Sequence, residues 1–312
     1  MTGRTHAISP RSPLRARPPG WWQDDRLQRN LFLWPTCGFL LVMTIFPFLY
    51  SVFLSLHYVR LTTLHRRVFA GLDNYISLLT DGVFLAALKN TALLALSTIT
   101  IEVLLGFIIA KVFYEMAGCR GVNGLRSAYL VPMMVTPITI GVIANYVMNP
   151  QLGLLNYLLG QIGIAPVAWF GDPMMAKLSI LLINVWQWTP FMAMLLLAGL
   201  MSIRHDILEA ARVDGAKWYH ILHRIELPTV MPLLMLGVIL RLIEILRFFD
   251  VVYITTRGGP GDSTMVLTLF TYQQNFQFFQ VGKGSAAAVI ILVLSIIITT
   301  FMVHILRRVE NE

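Results

Sequence analysis

Apolar residues in this chain run in long unbroken stretches, separated by short polar segments, and not at the spacing of a single helix or strand face. Six stretches reach the roughly 20 residues that a helix needs to cross a bilayer. They are Leu31–Leu56, Phe84–Phe113, Leu125–Met148, Ala176–Leu200, Thr229–Thr255 and Gly284–Leu306. The pattern predicts an all-α polytopic membrane protein with six transmembrane helices in one domain, residues 31–312, with no internal repeat. Pro190 in "NVWQWTPFMAML" predicts a kink in the fourth span, because proline removes one backbone donor. Between spans, Leu72, Ile76, Leu79 and Phe84 have near-helical spacing, which predicts a segment lying along the membrane surface. A second amphipathic stretch, Leu152–Ile162, is closed by Gly163 and Pro166.

Composition agrees. Of 312 residues, 56% are hydrophobic and 13% charged, about half the charged fraction of a soluble domain, and the mean hydropathy is +0.69. A net charge of +8 would suggest a nucleic-acid partner in a soluble protein. Here its distribution matters more than its sum, and no nucleic acid is expected. If the N-terminal side is "in", fifteen Lys/Arg residues fall inside and five (Arg60, Arg66, Arg67, Arg257, Lys283) outside. The positive-inside rule then puts both termini in the cytoplasm. Residues 1–30, Arg/Pro/Ser-rich and without an apolar core, predict a disordered cytoplasmic tail and no cleavable signal. Cys37 and Cys119 fall in a span and a turn, so no disulfide, metal site or redox role is expected. No Ser/His/Asp set or metal cluster indicates an enzyme.

The loop of about 203–228 stands apart. Ile207–Val213 reads as a short helix capped by Asp206. Gly215 breaks it, a second amphipathic run carries Trp218, Ile221, Leu222 and Ile225, and Pro228 is expected to stop that run before the fifth span. Two short helices joined at a glycine make either a docking surface or an interfacial element on lipid.

The same loop, "EAARVDGAKWYHILHRIELP", resembles the EAA motif of binding-protein-dependent ABC importer permeases, E-A-A-x-x-D-G-A-x(8)-I-x-L-P. Glu209, Ala210, Ala211, Asp214, Gly215, Ala216, Ile225, Leu227 and Pro228 match, while Leu222 replaces the usual aromatic. "FAGLDNYISLLTDGVFLAALKNT", "WQWTPFMAMLLLAGLMSI" and "FFDVVYITTRGGPGDSTMVLTLFTY" are similar to maltose-type sugar permeases. The resemblance runs from about Leu31 to the C-terminus. It implies the type I permease fold with both termini inside, an ATPase-coupling role for Glu209, Ala210, Ala211, Asp214, Gly215 and Ala216, and a non-catalytic function. It also implies three partners: a second homologous permease, an ATP-binding subunit dimer that holds ATP and Mg, and an extracytoplasmic solute-binding protein. The substrate would be a sugar, and lipid surrounds the chain. No nucleotide site is expected in the chain itself, because "QFFQVGKGS" has Gln277 and Gly284 where a P-loop requires Gly and Ser/Thr.

The fifth span carries Arg241, Glu244, Arg247 and Asp250, one charge every third residue. A charge at the bilayer centre costs at least about 2.5–3.5 kcal/mol, so these require partners or a wet cavity. On a continuous helix each step turns back 60° and adjacent members can pair. In a structural reading the ladder ties the helix to neighbours. In the other, Arg241 and Glu244 face the translocation pathway. The family resemblance puts sugar contacts at Gln187, Trp188 and Phe191 before the loop and at Arg241, Glu244, Ile245 and Phe248 after it. Arg and Glu there suggest a substrate with an anionic substituent, although Glu244 could equally neutralise Arg241. Arg247 and Asp250 are assigned to structure, and Glu102 and Asn184 to interhelical hydrogen bonds. The alternative class is an ion-coupled secondary transporter using the charged fifth helix as its path.

Overall fold

Helices dominate because apolar runs of this length can satisfy their own backbone groups only in helical form. The computed structural model describes residues 25–63 and 65–310. Most of the expected tail, 1–24, lies outside the described residues, and 25–30 already belong to the first helix. Two compact units are distinguished, residues 1–50 and 51–312. Helix α1 (Asp25–Ser55) begins in the first unit and ends in the second, and its Leu33–Ser55 part is long and apolar enough to cross a membrane.

The second unit opens with two paired two-residue strands, β1 (His57–Tyr58) and β2 (Val68–Phe69), with His57 opposite Phe69. Helix α2 (Asp73–Leu79) follows, with Leu72, Ile76 and Leu79 exposed, whereas Phe84, the fourth residue of that spacing, is buried in the next helix. Asp81 then caps α3 (Gly82–Glu115), accepting from the amides of Val83 at 2.9 Å and Phe84 at 3.2 Å. The third expected span, Leu125–Met148, is not one helix. It divides into α4 (Val122–Tyr129), α5 (Val131–Met134) and α6 (Pro137–Val147). Pro137 forces Thr136 into the extended region, at ψ 143°. Helix α7 (Leu154–Gln161) precedes α8 (Pro173–Met201), which Asp172 caps and which continues through Pro190.

Two further helices, α9 (His205–Val213) and α10 (Trp218–Ile221), form the glycine-linked hairpin. The expected stop at Pro228 is absent. A π-turn over Leu222–Glu226 carries α10 directly into α11 (Leu227–Ile245). Pro228 directly follows the π-turn and is carried within the continuing helix. The fifth span is broken higher up instead, at residues 246–249, before α12 (Asp250–Thr255). The four charges therefore do not share a continuous helix. The chain ends with α13 (Leu267–Tyr272), a π-turn over Gln273–Gln277 and α14 (Val281–Glu310). Among the described residues, five helices are long and apolar enough to cross a membrane.

Packing centres on Met192 of α8, which is wholly buried. A Cβ on Gly106 of α3 would stand 2.9 Å from Met192 Cγ, and one on Gly237 of α11 would stand 2.9 Å from its Sδ. These glycines let three helices approach to backbone range. One apolar cluster, including Phe84, Val251 and Phe270, fills the end near α12 and α13. A second, including Phe113, Leu196, Leu208 and Val230, fills the hairpin end.

At the start of α14, Lys283 Nζ lies 2.6 Å from Asp81 Oδ2. Partial burial pushes the Asp81 carboxyl up, but the Lys283 ammonium and the Phe84 and Val83 amides outweigh it and hold the group below its ordinary value. A depressed carboxyl adds stability above its unfolded pKa, near 4, and loses it as pH falls through the folded value. Asp81→Asn should therefore melt below wild type at neutral pH. The gap should close as pH drops below about 4, as read from thermal unfolding in detergent.

Candidate functional site: a buried arginine junction and a glycine-linked hairpin

Helix α9 ends in a Schellman motif. Gly215 takes the left-handed conformation, φ 78°. Its N–H bonds Arg212 O at 3.1 Å, and the Ala216 N–H bonds Ala211 O at 2.9 Å. These bonds satisfy the last carbonyls of α9 and turn the chain sharply towards α10. Asp206 is not the cap. It lies in the first turn of α9 behind Arg204, whose guanidinium it binds. Leu208 is buried in the hairpin-end cluster, and Ile221 and Ile225 pack against it. The other face of α9 is free: Glu209, Ala210 and Asp214 are exposed, while Ala211 and Ala216 are half-buried. Glu209 Oε1 meets His205 Nδ1 at 3.1 Å. Anchored on one side and bare on the other, the hairpin has the form of a docking element.

The second constellation lies where α3, α8 and α11 meet. Arg241 is 1% exposed and Glu102 0%. The guanidinium binds the Glu102 carboxylate with two hydrogen bonds, Nε to Oε2 and Nη2 to Oε1, both 2.7 Å. Its Nη2 also reaches Asn184 Oδ1 at 2.5 Å, and its Nη1 donates to Glu244. The Trp188 ring covers it, 4.7 Å from Cζ to centroid. Three helices thus close round one cation. Two parallel bonds to a carboxylate are among the strongest arrangements open to arginine, and enclosure by protein strengthens them further.

Sequence reasoning separated residues that the structure joins. Glu102 and Asn184 are interhelical bonders as expected, and their common partner is Arg241. The missed signal was charge: a lone carboxylate deep in one span requires a lone cation in another. Among the expected site residues, Trp188 and Phe191 are half-buried on α8, with rings at 84° and centroids 6.4 Å apart. The Glu244 side chain is 36% exposed. Gln187 and Ile245 are buried, and Gln187 Nε2 bonds Val135 O at 3.3 Å, in the break between α5 and α6. Phe248 lies buried in the link after α11, and its carbonyl accepts from Thr268 Oγ1 at 2.5 Å. Arg247 is exposed, and Asp250 opens α12.

A helical membrane unit with a glycine-linked hairpin between two long spans defines a class: the type I permease fold of ABC importers. A solved bacterial ABC transporter, described as involved in the import of the acidic polysaccharide alginate, shares it. The TM-score is 0.75 at 23% identity, over 93% of this chain and 99% of that one. Residues 102–311 match the family described as binding-protein-dependent transport system inner membrane component, and the chain belongs to that family. It is 35% identical to the trehalose/maltose transport system permease protein MalF of Thermococcus litoralis, over 89% of this chain and 94% of that protein. To the sulfoquinovosyl glycerol transport system permease protein SmoG of Agrobacterium fabrum it is 31% identical, over 93% and 94%.

Removing one partner of a buried ion pair strands the other and costs roughly 3–5 kcal/mol, whereas replacing both with apolar groups is near neutral. Arg241→Met, which strands the fully buried Glu102 carboxylate, should therefore lower the thermal midpoint of the purified protein strongly. The pair Glu102→Leu with Arg241→Met should recover most of the loss. A double-mutant cycle by size-exclusion thermostability checks this.

Proposed function

We propose that this chain forms half of the translocation pathway of an ATP-driven importer for a neutral sugar or polyol. Membership of the importer family and sugar-permease relatives over most of its length support the sugar importer permease and weigh against an ion-coupled secondary transporter. The chain is a non-catalytic integral membrane subunit. ATP and Mg belong to the ATPase dimer that docks on Glu209, Ala210, Ala211, Asp214, Gly215 and Ala216. A second homologous permease completes the pathway, and a solute-binding protein delivers the sugar from outside. With the broken α4–α6 segment as the sixth crossing, the charge distribution supports cytoplasmic termini and a cytoplasmic hairpin.

The observation that carries the substrate reading is the enclosure of Arg241. Its charge is already met by Glu102 and Glu244, so it has no free valence for a substrate anion. The group left partly accessible is the Glu244 carboxylate, bonded to the guanidinium that the half-buried Trp188 ring covers, with the Phe191 ring edge-on to Trp188. An acceptor next to aromatic faces suits hydroxyls above and apolar C–H faces below. It repels a uronate or sulfonate. Gln187, Ile245 and Phe248 are buried, and Arg241 fixes Trp188 and Glu244 in place.

Reconstituted with its partners, the importer should hydrolyse ATP faster when the binding protein carries a neutral saccharide. ATP depletion should abolish uptake. Glu244→Gln and Trp188→Ala should each reduce uptake about tenfold or more, the scale of one charge-assisted hydrogen bond. Stimulation by anionic sugars alone would overturn the substrate reading.

A further inference from the structure

A second ion pair joins α3 to the chain of α11, at the hairpin end. Glu226, the last residue of the π-turn between α10 and α11, has a side chain only 3% exposed, and its carboxylate binds Lys111 of α3. The Lys111 side chain is 33% exposed, with Glu115 Oε1 at 3.8 Å and the Tyr114 ring centroid at 5.6 Å. Glu226 occupies the open position of the I-x-L-P pattern, so the EAA resemblance assigns it nothing. Burying a carboxylate against one cation brings little net stability, and π-turns concentrate where a helix must yield.

The two levels are opposite in sign. Glu102 on α3 faces Arg241 on α11, whereas Lys111 on α3 faces Glu226 at the base of α11. They lie nine residues apart on α3, about 14 Å of helix. If α11 slid along α3 towards the hairpin end, Arg241 would approach the like charge of Lys111, and if it slid the other way Glu226 would approach Glu102. The inverted order therefore admits one register and penalises the alternatives, as a buried polar pair does in a coiled coil.

We propose that Lys111 and Glu226 are positioning residues that clamp the docking hairpin to α3, so that displacement of the hairpin moves α3 and α11 together and reaches the Arg241 junction. This rests on the hairpin being the ATPase dock. When the ATPase pulls the hairpin, the π-turn would otherwise absorb the motion locally. The clamp sends it into two helices whose upper ends hold Glu102 and Arg241.

The test uses the assembled importer in proteoliposomes with loaded binding protein, comparing Lys111→Glu, Glu226→Lys and the double reversal. The readouts are sugar imported per ATP hydrolysed and stimulation of ATPase by loaded binding protein. Each single reversal should reduce both about tenfold, and the double reversal should restore them to within about threefold. Lys111→Met and Glu226→Gln, with their thermal midpoints, serve where a reversal does not fold. Glu209→Ala, read by co-purification of the ATPase, tests the dock separately. Loss of ATPase there with unchanged coupling in intact single variants would overturn the clamp alone. Retention of ATPase and full coupling in Glu209→Ala would overturn the dock beneath it. A double reversal that folds, keeps its ATPase and stays uncoupled would also overturn the clamp.

Discussion

A guanidinium cannot be left unpaired in the middle of an apolar bundle, and much of this structure follows from how Arg241 is enclosed. The carboxylate comes from α3, the amide from α8, the second carboxylate from α11 itself, and the Trp188 face closes the remaining side. None of these groups is next to another in sequence, so the junction fixes the relative height and rotation of three helices at once. Apolar packing alone would not: lipid tails compete on equal terms with leucine, and close approach through Gly106 and Gly237 leaves room for sliding. The polar junction supplies the register, and the glycines supply the proximity.

The same constraint decides what the site can hold. An arginine committed to two carboxylates does not attract a third, so the proposed substrate site would offer one acceptor, Glu244, and the Trp188 and Phe191 faces. The hairpin obeys a parallel logic. Its Schellman turn at Gly215 satisfies the end of α9 internally and leaves the outer face bare for a partner. Its inner face is held by Leu208 and by the π-turn into α11. The functional surfaces are therefore set on elements whose own backbone and charges are already satisfied.

The long apolar runs made the helical class legible, and the EAA pattern marked the hairpin to the residue. Helix breaks were less legible. Residues 122–129 carry Asn123, Arg126 and Ser127, and Pro132 and Pro137 follow, but the long apolar run around them masked these signals of division. Pro228 suggested a stop, yet the helix continues through it, while 246–249, without a proline, is where the fifth span yields. The even spacing of Arg241, Glu244, Arg247 and Asp250 suggested one ladder. The backbone break separates it: Arg241 and Glu244 pair, Arg247 is exposed, and Asp250 begins another helix. Pairings across helices, Glu102 with Arg241 and Lys111 with Glu226, depend on which helices touch, and one-dimensional spacing does not carry that information.

The most direct measurement is a cryo-electron microscopy map of the assembled importer, sharp enough to show side chains, in which the direction of the Arg241 guanidinium is read. The account predicts that it lies between α3 and α11 with Nε and Nη2 on the two Glu102 oxygens and Trp188 over its face. A guanidinium turned into the translocation pathway, with Glu102 bonded elsewhere, would contradict it.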